Sequence, residues 1–93
     1  MENQHRKITG YRELNQEEID LMNDVKALGP EIEGVLLKIQ GHIEALNEIS
    51  KTDETVALRL ENSTAYRFLA MAKTDLQTGL MYATRAVAQP EFF

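Results

Sequence analysis

The chain has 93 residues, a formal net charge of −5, 43% hydrophobic residues and no cysteine. A chain this short makes one domain and buries only about two-thirds of the surface that it exposes when unfolded. With no disulfide to staple it, the missing stability is expected from self-association. The acidic balance argues against a general binder of DNA or RNA, which needs a basic stripe to meet phosphates.

Residues 1–13 read as an amino-terminal arm, with Gly10 as a turn residue and little helical periodicity. The arm holds the chain's one concentration of cations beside an aromatic ring, His5-Arg6-Lys7-Ile8-Thr9-Gly10-Tyr11-Arg12. Two readings fit these residue types. Either the segment is a basic tail with Tyr11 packed on the body of the protein, or it is a nucleotide grip. In a grip the Tyr11 ring stacks on a base, a contact of about 1–3 kcal/mol, and the cations meet phosphates through charge-assisted hydrogen bonds.

A first helix is predicted over 15–28. Asn15 can cap its free amides while Glu18 reaches back to complete a capping box, and Glu17, Glu18 and Asp20 suit the positive end of the helix dipole. Gly29-Pro30 then ends this helix or kinks it sharply. Pro30 also suits the first turn of a second helix over 30–50. In that segment Ile32, Val35, Leu36, Ile39, Ile43, Leu46 and Ile49 form one apolar stripe opposite Glu31, Glu33, Lys38, Gln40, Glu44 and Glu48.

Residues 50–62 stay open: Ser50-Lys51-Thr52-Asp53 suits a turn and a cap, and Val56 to Leu60 forms a helical turn or an ordered loop. A last helix is predicted over 63–88, ended by Pro90. It is apolar on more than one face, with Phe68, Met71, Met81 and Tyr82 added to the stripe of Leu69, Leu76 and Leu80, so it should have more than one partner. Gly79 falls on that stripe and predicts close packing, whereas Gly34 and Gly41 fit a close approach or a solvent face equally. The fold class is therefore all-α: an arm, a capped first helix kinked at Gly-Pro and two longer antiparallel helices, in one domain spanning 1–93.

Convergent catalytic groups are absent from the sequence. His5 and His42 stand far apart, with no metal-ligand spacing, nucleophile elbow or phosphate-cradling loop. The expectation is no enzyme, no catalytic residue, no cofactor and no metal. No apolar run reaches signal-peptide or membrane-span length, so the protein is expected to stay where it is made, and the Asn62-Ser63-Thr64 sequon reads as chance.

Read together, His5 to Leu14, Gln16 to Asn23, Tyr66-Arg67-Phe68-Leu69-Ala70 and Arg85-Ala86-Val87-Ala88-Gln89-Pro90 resemble the phage anti-CBASS cyclic-oligonucleotide sponge family. The resemblance spans nearly the whole chain, and from Glu31 to Asn62 it lies in helical character alone. It implies a helical protomer that assembles into a homohexamer in the cytoplasm of the bacterial host. There it would sequester cyclic dinucleotides such as cyclic GMP-AMP, and cyclic trinucleotides such as cyclic triadenylate in a separate pocket, without cleaving them. Carried over by position, the resemblance implies base stacking for Tyr11, a phosphate contact for Lys26 and trinucleotide capture for Arg67, with Arg12 reaching the same area as Tyr11. A departure is Phe68, where many relatives carry Trp. Beside this reading stand a small phosphodiesterase, which lacks a metal-ligand set, and a helical adaptor that inhibits a host protein through its surplus apolar face.

Overall fold

The computed structural model describes residues 13–91, and Tyr11, Arg12 and the rest of the expected arm before Glu13 lie outside them. The described residues form three helices: α1 (Gln16–Ile49), α2 (Glu54–Ser63) and α3 (Ala65–Ala88). Among them there is no strand.

The capping box at the start of α1 is complete. Asn15 Oδ1 accepts from the Glu18 amide at 2.9 Å and Glu18 Oε1 accepts from the Asn15 amide at 2.9 Å, so two donors that the first turn would leave unpaired are satisfied. Farther along, one expectation is corrected. The helices predicted over 15–28 and 30–50 are a single element of 34 residues that runs through Pro30. Proline withholds one intrahelical donor, and its ring crowds the preceding residue's Cβ. Here that residue is Gly29, which has no Cβ. The rest of the cost is offset by the packing of α1 on α3: Ile32 and Leu36, on the carboxy side of the exposed Pro30, are half-buried and line the groove between the two helices.

The stretch left open at 50–62 is mostly helix. Ser50 caps the carboxy end of α1, donating its amide to Leu46 and Glu48 carbonyls, and Lys51 pairs with Glu48 at 3.0 Å. Both side chains of that pair are largely exposed, so it contributes little. Asp53 then starts α2 by accepting from the Val56 amide at 3.2 Å. A single left-handed residue, Thr64 (φ 49°, ψ 50°), separates α2 from α3, and Gln89 in the same conformation closes α3 ahead of Pro90.

α3 packs along α1, and α2 makes a smaller contact with α1. The product is a rod of 66 × 22 × 18 Å with a radius of gyration of 20.2 Å, where a compact chain of this length would have roughly 12 Å. Its core is correspondingly thin. Ile43, at 6% exposure, is the one buried hydrophobic residue among those described. Ile32, Leu36 and Leu46 of the predicted stripe are half-buried, but Val35, Ile39 and Ile49 are exposed. The stripe therefore serves two sides, one turned to α3 and one left open. Gly79 does not mediate close packing within the hairpin: a Cβ added there, or at Gly34 or Gly41, would meet nothing within 4 Å.

Candidate functional site

Lys26 lies in α1, four residues before Pro30, and is exposed. The capped helix fixes its backbone position, and the side chain lies on the exposed surface of the hairpin. Arg67 is in the first turn of α3 and is also exposed. A cation there opposes the helix dipole, at a cost of about 0.3–1 kcal/mol. That turn contains no acidic residue, and Thr64 supplies no side-chain cap.

The Arg67 guanidinium instead lies over the Phe68 ring, with Cζ 5.9 Å from the ring centroid. At an exposed site such a contact is worth about 0.5–1 kcal/mol. Phe68 is 58% exposed, so the ring supports the arginine without being sunk in a core. The sequence offered Phe68 as part of a second apolar face of the last helix and as a departure from its relatives; its apposition to Arg67 depends on the side-chain path.

Between α1 and α3 runs a groove of about 560 Å³. Ile32, Leu36, Leu69, Leu76 and Leu80 give it an apolar lining, while Glu33, Gln40, Lys73 and Gln77 add polar groups. Neither Lys26 nor Arg67 lines it. Lys26 precedes the α1 residues of the groove, and Arg67 stands beside Tyr66 at the start of its α3 wall. The hairpin does not gather these two cations into one pocket.

Periodicity at seven residues, which the shorter apolar stripe masked, now becomes informative. Leu21, Leu28, Val35 and Ile49 recur along α1 at heptad intervals and are all exposed, with exposed His42 filling the place between Val35 and Ile49. Such spacing is that of a helix seam that packs on another helix. On α3, Met81 and Tyr82 are about 70% and 69% exposed. Among the described residues no cluster of His, Asp, Glu or Cys could hold a metal ion, and no helix is long and apolar enough to cross a membrane.

The family model of the Acb2/Tad1 hairpin domain matches residues 3–88. The chain belongs to this family. Its match also covers the arm that bears Tyr11 and Arg12, joining those residues by sequence to the helical body. Among relatives of the Acb2/Tad1 hairpin chain is anti-CBASS protein 2 of Pseudomonas phage JBD67. It is 42% identical over an alignment 106 positions long that covers 98% of each chain. The resemblance carried by residues 5–14, 16–23, 66–70 and 85–90 thus points to the family that the match shows.

Proposed function

We propose that this protein is a phage anti-defence protein that binds and sequesters cyclic oligonucleotide second messengers, blocking CBASS signalling in the cytoplasm of the host. The observation that carries this reading is the 42% identity, along 98% of both chains, to a phage protein named for its action against CBASS. Capture is by non-covalent binding, and the ligand leaves intact.

The thin core supports a homo-oligomer, taken here as a hexamer. An open heptad seam on α1 and an open aromatic and methionine face on α3 have no partner within the hairpin, and a second copy would bring complementary helices. Symmetry then supplies what one chain lacks. Tyr11 and Arg12 from the arm and Lys26 from α1 meet at a boundary between copies, so a ring-shaped dinucleotide finds a stacking face and a cation at each end. An acidic protein can bind an anion this way because the favourable potential is confined to the shared pocket. Arg67 serves a second pocket for cyclic trinucleotides.

The exposed apolar faces also favour a second reading, a helical adaptor that inhibits a host protein. Calorimetric titration of the purified protein with cyclic GMP-AMP separates the two. The sponge reading expects heat of binding, loss of that heat in Tyr11→Ala with Lys26→Glu, and intact ligand after denaturation. Absence of binding to any cyclic di- or trinucleotide, with anti-CBASS activity retained in the double variant, establishes the adaptor instead. Linear products would show a phosphodiesterase.

A further inference from the structure

We infer that α1 of one copy packs antiparallel on α1 of a second copy about a two-fold axis at Val35, with Glu31 of each copy paired to Lys38 of the other. This rests on the homo-oligomer proposed above and gives one of its contacts a partner and a register.

Ile32 and Leu36 of α1 are half-buried and line the groove against α3. Val35 comes one residue before Leu36, so it points about 100° round the helix from that line. It is 55% exposed, and its apolar neighbours are spaced evenly about it: Leu28 and His42 stand seven residues to either side, Leu21 and Ile49 fourteen. Residues seven apart share a helix face. A contact across a two-fold axis needs a patch that complements itself, because the residue met on the partner must be met in return. A row with the same spacing in both directions from Val35 satisfies this in antiparallel order. Val35 meets its own copy, Leu28 meets His42 of the second copy, and Leu21 meets Ile49. The exposed apolar surface of α1 is then covered by itself.

Charge favours the same arrangement. The edge of the seam carries Glu17, Asp24, Glu31, Lys38, Ala45 and Thr52, again at heptad intervals. In the antiparallel register about Val35, Glu31 stands beside Lys38 of the second copy, Asp24 beside Ala45 and Glu17 beside Thr52. The two symmetric ion pairs flank the Val35 contact, and no carboxylate of this edge opposes another. A parallel pair would instead set Asp24 and Glu31 of both copies level with each other. Glu31 and Lys38 are both exposed, and neither is in an ion pair within the hairpin among the described residues. Their complementarity adds direction to an apolar contact that has none of its own.

The chain contains no cysteine, so single introduced thiols report the register in the full-length protein. Treated with a short bis-maleimide, Val35→Cys should form a covalent dimer. Leu28→Cys co-expressed with His42→Cys should give the mixed dimer, while either variant alone stays unlinked. Adding Glu31→Lys to Val35→Cys should lower the linked fraction severalfold, and adding Lys38→Glu as well should restore it. No dimer from Val35→Cys in a particle of parental mass, or self-linking of Leu28→Cys, overturns the pairing and leaves the homo-oligomer standing on other contacts. A loss in Glu31→Lys that Lys38→Glu does not restore overturns it too. A parent protein that is monomeric in light scattering refutes both the pairing and the oligomer.

Discussion

Pro30 stands four residues beyond Lys26 in α1, so the Lys26 carbonyl lies within the helix body opposite a residue that has no amide to give it. The lysine proposed for phosphate contact is therefore also where the hydrogen-bond ladder of α1 is interrupted. Replacing the proline restores that donor. Pro30→Ala should stabilise the protein by about 1–3 kcal/mol, measured as a higher denaturant midpoint with an unchanged slope. A loss of stability would show that the fixed φ of proline, which restricts the unfolded chain, outweighs the missing hydrogen bond.

In the capping box of α1, Asn15 is exposed and Glu18 is half-buried. Asn15→Ala should cost about 1 kcal/mol, which for a domain of this size lowers the melting temperature by roughly 4–8 °C. Asn15→Asp should retain the parent stability, since it keeps the acceptor and adds a charge suited to the helix dipole. Thermal melts followed by helical circular dichroism check both.

Thr64 adopts a left-handed backbone between α2 and α3 (φ 49°), a region unfavourable to a β-branched residue. Its hydroxyl compensates only locally, donating to the Ser63 carbonyl at 2.7 Å. Thr64→Gly should therefore raise stability by about 0.5–1 kcal/mol, the steric relief exceeding the entropy that glycine adds to the unfolded chain. A denaturant titration with an equal or lower midpoint would contradict this.

Val35 is 55% exposed in the middle of the heptad seam of α1. If that seam packs on a neighbouring copy, Val35→Glu places a carboxylate in an apolar contact at a cost of about 3 kcal/mol or more per site. Light scattering should then record a smaller particle, and cyclic-nucleotide binding should fall with it. A variant of parental mass would mean that this side of α1 faces solvent.

The local parts of the design were legible before any coordinates. Asn15 and Glu18 announce the start of α1 and Pro90 the close of α3, because capping depends on groups three or four residues apart, whereas Ser50 to Asp53 suited a turn and a cap without deciding between helix and loop after them. Of the residues carried by resemblance, Lys26 and Arg67 are on exposed helix positions, while Tyr11 and Arg12 fall before the described segment. Phe68 could not be joined to Arg67 from spacing, since neighbours on a helix ordinarily diverge.

Sequence by itself determined an all-helical chain with too little core for its length and no basic stripe for a nucleic-acid polymer, since periodicity, composition and net charge are properties of the string. Tertiary structure decided that α1 passes through Gly29-Pro30 as one helix, that Ile43 alone among the described residues is buried, and that the apolar positions of α1 divide between α3 and an open side. Those outcomes turn on competition between a local penalty and contacts made across the hairpin. A broken hydrogen bond is visible at one position, but the packing that offsets it belongs to residues some forty places away.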